Sequence, residues 1–71
     1  MYREALFDQL RQIERQVVAG ERRLAEQEAR LFELKRSGED TTAVEAALET
    51  LRSEQRRLDR DRQQLLLRLQ P

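Results

Sequence analysis

The feature that most constrains this chain is a pair of apolar repeats on either side of one short cluster of turn-forming residues. Alternate steps of four and three residues trace the first repeat, in which seven of nine positions are apolar. Its positions are Leu6, Leu10, Ile13, Val17, Gly20, Leu24, Gln27, Leu31 and Leu34. The second repeat is apolar at six of eight positions, which are Val44, Leu48, Leu51, Gln55, Leu58, Arg62, Leu65 and Leu69. A mean spacing of 3.5 residues is typical of left-handed coiled coils, so we expect two long amphipathic helices.

The cluster between the repeats, residues 37–42, predicts where the chain reverses. Gly38 suits the left-handed residue that ends many helices, and either Asp40 or Thr42 can cap the helix that follows. So short a connection makes the two helices antiparallel neighbours. We therefore predict an all-α fold, an antiparallel two-helix coiled-coil hairpin in one domain, residues 1–71. Helix 1 should span about 2–36, the turn about 37–41 and helix 2 about 42–70, in a rod on the order of 45 to 50 Å long.

Folding at the turn predicts which positions meet in the intrahairpin seam. Its apolar members are Leu10, Ile13, Val17, Leu24, Leu31, Leu34, Val44, Leu48, Leu51, Leu58, Leu65 and Leu69. Gln27 and Gln55 fall in adjacent layers, where their amides either bond to each other and set the register or offer a polar contact to a partner. Gly20 permits a large side chain or a neighbouring helix to approach, and Arg62 extends its aliphatic stem over Val17.

Flanking charges test this register. It brings together three pairs of opposite charge, Lys35 with Glu45, Glu28 with Arg52 and Arg23 with Glu54, and one repulsive pair, Glu21 with Asp59. Such exposed pairs contribute about 0 to 1 kcal/mol each, so they select a register more than they stabilise it.

The turn also carries a resemblance to a known group. The pattern comprises Gly20-Glu21, Leu24, Gln27, Leu34, Gly38-x-Asp40-Thr41, Leu48 and Leu51. It resembles a group of short, uncharacterised helical-hairpin proteins common in alphaproteobacterial genomes, over residues 13–69, and its most specific part is the Gly-x-Asp-Thr turn. The resemblance implies a hairpin in a bacterial, cytoplasmic setting, and it implies no activity, cofactor or catalytic residue.

Some apolar residues lie outside the seam, and two helices offer only one mutual groove to cover them. The candidate partner-binding residues are Tyr2, Leu6, Phe7, Val18, Ala25, Phe32, Leu66 and Leu67. Val18, Ala25 and Phe32 repeat every seven residues, and the others gather at the open end, where helix 1 is expected to overhang helix 2. A homodimer in which two hairpins form a four-helix bundle would cover them; a foreign helix or scattered exposure are the alternatives. A dimer that swaps helices by opening at Gly38 would bury nearly the same contacts.

Composition excludes several classes of function. Charged residues make up 39% of the 71 residues, which would suit disorder, but the periodic apolar pattern favours helices. The chain has neither histidine nor cysteine, and its two serines lie outside any G-x-S-x-G context. We therefore expect no enzyme, cofactor, metal or small-molecule substrate. No stretch is apolar enough to cross a membrane, which makes a cytoplasmic location the expectation.

A protein-interaction or scaffold module is thus the predicted function. The alternative is a small dimeric helical RNA-binding regulator that uses the arginine-rich face between Arg52 and Arg68. Its candidate nucleic-acid contacts are Arg52, Arg56, Arg57 and Arg60. Against this alternative, the formal net charge is zero and no aromatic side chains alternate with the arginines to stack on bases.

Overall fold

Two helices make up the computed structural model, which describes residues 2–70. Helix α1 spans Tyr2–Ser37 and helix α2 spans Thr42–Leu69. The helices pack against each other in opposite directions, which confirms the predicted all-α helical hairpin. The rod measures 55 × 15 × 14 Å and is longer than predicted, because a 36-residue helix rising about 1.5 Å per residue reaches about 54 Å. Residues 1 and 71 of the predicted domain lie outside the described residues.

The core is a single strip between the helices. In α1 the residues that are not exposed coincide with the nine positions of the first repeat. In α2 they are the eight positions of the second repeat and Leu66. The ends of the strip are closely covered: Leu65 and Leu69 bury Leu6 at the open end, and Leu48, near the turn, is 1% exposed. Between the ends, Gly20 is buried and the other seam residues are half-buried.

The end of α1 is closed by a Schellman motif. Gly38 adopts φ +71°, the left-handed conformation that a residue without Cβ adopts at little cost. Its N–H donates to the Lys35 carbonyl at 3.2 Å, and the Glu39 N–H donates to the Leu34 carbonyl at 2.9 Å. Two carbonyls of the last turn of α1 are thereby satisfied, and the chain is turned back toward α2.

The start of α2 is held by Asp40. Its carboxylate accepts hydrogen bonds from the Thr42 backbone N–H at 3.1 Å and from the Thr42 hydroxyl at 2.7 Å. The Thr42 hydroxyl, and then the Thr42 N–H, hold the pKa of the Asp40 carboxyl below its ordinary value of 3.8. Of the two capping residues that the sequence offers, Asp40 therefore accepts the bond from the helix and Thr42 is the first residue of α2.

Candidate interaction surface

The apolar stripe of α1 consists of Val18, Ala25 and Phe32. Each follows a seam residue directly, and one residue of α-helix turns the side chain by about 100°, which carries it out of the seam. The Val18 side chain is 58% exposed and the Phe32 side chain 66% exposed, and Ala25 is exposed between them. Ala29, which the sequence reasoning missed, is exposed and extends the same stripe, four residues after Ala25. The hairpin itself leaves this stripe uncovered.

Charged residues surround the part of the stripe that contains Val18. Val18 lies in a shallow depression of about 600 Å³ on the outside of α1. The depression is lined by Arg11, Glu14, Arg15, Val18, Ala19 and Arg22. An apolar centre within a polar, charged border is the usual composition of a protein–protein contact.

The open end of the hairpin holds a second apolar region. Leu67 is 64% exposed and Tyr2 72% exposed, whereas Leu66 is half-buried. Phe7 is 41% exposed, and the Arg3 guanidinium lies 5.8 Å from the centre of its ring, a cation–π distance. A groove of about 470 Å³ runs between the helices here, lined by Phe7, Leu10, Gln63, Leu66, Leu67, Leu69 and Gln70.

Leu6 is a correction to the expected set of partner-binding residues. It is 3% exposed and belongs to the intrahairpin core with Leu65 and Leu69. The reason is length, because α2 continues to Leu69 and so reaches back far enough to cover Leu6. The overhang of α1 is accordingly limited to the residues before Leu6.

Gln55, which packs beside Gly20, makes the one side-chain hydrogen bond between the helices in the described residues. The Gln55 amide donates to the Val17 backbone carbonyl at 3.1 Å, with its side chain lying against Gly20. A Cβ at Gly20 would overlap the Gln55 amide oxygen and lie 2.5 Å from its Cδ. The expectation that the amides of Gln27 and Gln55 bond to each other is therefore wrong, because the Gln55 amide bonds to the Val17 carbonyl instead. Gly20 admits a large side chain, as expected, and that side chain is Gln55.

The flanking charges form one ion pair between the helices within residues 2–70. Glu28 and Arg52 approach to 3.9 Å, in the register expected from the sequence. Neither Lys35 with Glu45 nor Arg23 with Glu54 comes within 4.0 Å in the same part of the chain. Ordering two exposed side chains costs conformational entropy, and the attraction of a solvated ion pair barely offsets that cost. Opposite charges that the register places side by side therefore do not always form an ion pair.

The arginines of α2 are spread around the outside of the helix. Arg52 pairs with Glu28, and Arg56 donates to the Ser53 hydroxyl at 3.1 Å. Arg57 and Arg60 share a groove with two acidic residues, Glu49 and Glu54, among others. Half-buried Arg62 lies 3.7 Å from the Asp59 carboxylate. Since acidic side chains lie among these guanidinium groups, the arrangement adds no support to the nucleic-acid alternative.

No protein-family model, curated protein or solved structure matches this chain. The resemblance to alphaproteobacterial hairpin proteins therefore stays a prediction. Within residues 2–70, no three acidic side chains come close enough together to hold a metal ion. In that same range, neither helix combines the length and the apolar character that a membrane crossing requires.

Proposed function

We propose that this chain is a non-enzymatic protein-interaction or scaffold module that works by self-association, two hairpins joining through coiled-coil packing into a four-helix bundle. The observation that carries this proposal is the exposure of Val18 and Phe32 on one face of α1. Large apolar side chains at helical spacing on one face are expected to be covered by another helix. A second copy of the same chain supplies that helix, so no different protein is needed.

The energetics favour a weak dimer. Fully burying a valine or phenylalanine side chain contributes about 1.5 to 3 kcal/mol. A symmetric dimer buries two copies of Val18 and Phe32, which are already partly covered in the hairpin, so these four side chains contribute about 4 to 7 kcal/mol before the cost of association. That cost is at least about 4 kcal/mol. These side chains alone therefore give a weak dimer, and burial of neighbouring apolar groups such as Ala25 and Ala29 must add to them for association at micromolar concentration.

Sedimentation equilibrium over a concentration series tests the proposal. The natural chain should pass from monomer to dimer between low and high micromolar concentration, and Val18→Glu combined with Phe32→Glu should remain monomeric. Ala46→Glu is the matched control, because Ala46 is exposed on α2 away from the stripe, and it should leave the dimer intact. A strict monomer at high micromolar concentration would contradict self-association and leave a foreign helix as the occupant of the stripe.

The shape of the dimer separates docked hairpins from swapped helices. Two docked hairpins should have a longest dimension between the 55 Å of one copy and about 70 Å, depending on the offset between them. A dimer opened at Gly38 would approach twice the length of one copy. Small-angle scattering on the dimer distinguishes the two, and a rod of the doubled length would contradict the docked arrangement.

A further inference from the structure

On the side of the hairpin that carries the apolar stripe of α1, helix α2 offers no matching stripe at the equivalent positions. Glu28 lies about 40° from the seam at Leu24 and Ala25 lies about 100° from it in the same direction, so the stripe is on the side of the hairpin marked by the Glu28–Arg52 pair. On α2 the equivalent positions are those that directly follow Leu48, Gln55, Arg62 and Leu69, and all four are polar, whereas Leu66, which directly follows Leu65, is half-buried. The four polar residues are Glu49, Arg56, Gln63 and Gln70. The surface that matches the stripe of α1 is therefore the stripe of another α1.

The charges along the stripe select the direction of that pairing. A parallel, in-register pair would place every charged residue beside itself, so that Arg22 met Arg22, Glu14 met Glu14 and Glu28 met Glu28. Like charges that face each other oppose association. In an antiparallel pair related by a two-fold axis, a charged residue faces its own copy only next to the axis.

We propose that two copies pair α1 against α1 in antiparallel orientation, with the two-fold axis beside Ala25. The proposal rests on the self-association argued above and names its geometry. In this register Ala25 meets Ala25, and Val18 of each copy meets Phe32 of the other. The smallest side chain of the stripe lies at the axis, where it allows the two backbones to approach, and the larger side chains pack on either side of it.

The same register pairs opposite charges on the rim. Arg22 lies opposite Glu28 of the second copy, and Glu14 lies opposite Arg36. One pair, Arg15 with Lys35, is repulsive. Because α1 ends at Ser37, the two helices overlap over residues 13–37, a length of about 37 Å.

A competing register sets the axis between Glu21 and Arg22. It also pairs opposite charges, for example Arg15 with Glu28, and it keeps Val18 of each copy against Ala25 of the other, but Phe32 then lies against Arg11 and loses its apolar match. The register centred on Ala25 covers all three apolar residues of the stripe with apolar residues, which is why it is preferred.

Single cysteines test the register, since the natural chain has none. A disulfide forms only where two Cα atoms come within about 4.4 to 6.8 Å, and a residue at a two-fold axis meets its own copy. Under mild oxidation, Ala25→Cys should give a disulfide-linked dimer at least about ten times faster than Ala19→Cys, an exposed alanine off the stripe. Ala25 is exposed in the hairpin, so the substitution leaves the intrahairpin core unchanged.

Three outcomes would overturn the register, and sedimentation separates them from failure of self-association itself. If Arg22→Cys crosslinks to itself faster than Ala25→Cys in a chain that sediments as a dimer, the competing register is correct. If Ala25→Cys and Ala19→Cys crosslink equally fast, the link reflects random collision. If the chain dimerises and Ala25→Cys crosslinks no faster than in denaturant, the helices pair elsewhere. A chain that sediments as a monomer before oxidation contradicts the proposed function instead.

Discussion

Replacing Gly20 with alanine should fail to stabilise this protein, although the same change inside a helix normally does. Alanine is favoured over glycine by about 1 kcal/mol in a helix interior. At Gly20, however, the new Cβ would overlap the Gln55 amide, so the amide must leave its position and lose its 3.1 Å bond to the Val17 carbonyl.

The magnitudes nearly cancel. Losing a hydrogen bond of this kind costs about 0.5 to 1.5 kcal/mol. Because the amide is the far end of a flexible side chain, Gln55 can rotate away at little further cost. The net change for Gly20→Ala is therefore within about 0.5 kcal/mol of zero. In a Gln55→Ala background the clash and the bond are both gone, and Gly20→Ala should stabilise by the full 1 kcal/mol or so.

A double-mutant cycle measures this coupling. Four chains, namely the natural protein, Gly20→Ala, Gln55→Ala and the double variant, are unfolded by heat at one fixed concentration, because self-association would make stability depend on concentration. Gly20→Ala should raise the melting temperature by about 4 to 8 °C in the Gln55→Ala background and not in the natural one. Additive effects of the two substitutions, within about 0.5 kcal/mol, would refute the reasoning.

Three further predictions concern the core, the turn and the cap. Leu48→Ala should destabilise the hairpin by about 2 to 5 kcal/mol in chemical denaturation, because Leu48 is 1% exposed, whereas Leu67→Ala should change monomer stability by less than about 0.5 kcal/mol. Gly38→Ala should cost about 1 to 2 kcal/mol, since φ +71° crowds a Cβ, and Gly38→Asn should cost less; equal effects of the two would contradict this account. The lowered pKa of Asp40 means that the folded state favours its charged form, so its contribution is present above pH 3.8 and is lost as the pH falls through the lower folded value. Asp40→Asn should therefore flatten the acid limb of the stability profile measured by circular dichroism, and an unchanged limb would show that the Thr42 bonds do not stabilise α2.

Much of the fold can be predicted from local patterns in the sequence. The 3.5-residue spacing assigns one face of each helix to the seam, and the covered positions of α1 and α2 coincide with the two repeats. Gly38 and the polar residues after it are expected at a turn, because glycine and short polar residues tolerate the backbone conformations that a turn requires. Val18 and Phe32 are likewise expected outside the seam, because each comes one position after a seam residue and its side chain points about 100° away.

What only the tertiary structure decided is which side chains meet. Gln55 bonds the Val17 carbonyl and not Gln27, and Leu6 lies in the core and not at a free surface. These outcomes depend on the offset between the helices along their axes and on where α2 ends. Periodicity determines the direction in which a side chain points from its own helix, but a shift of a few ångströms along the partner changes the atoms that it finds there.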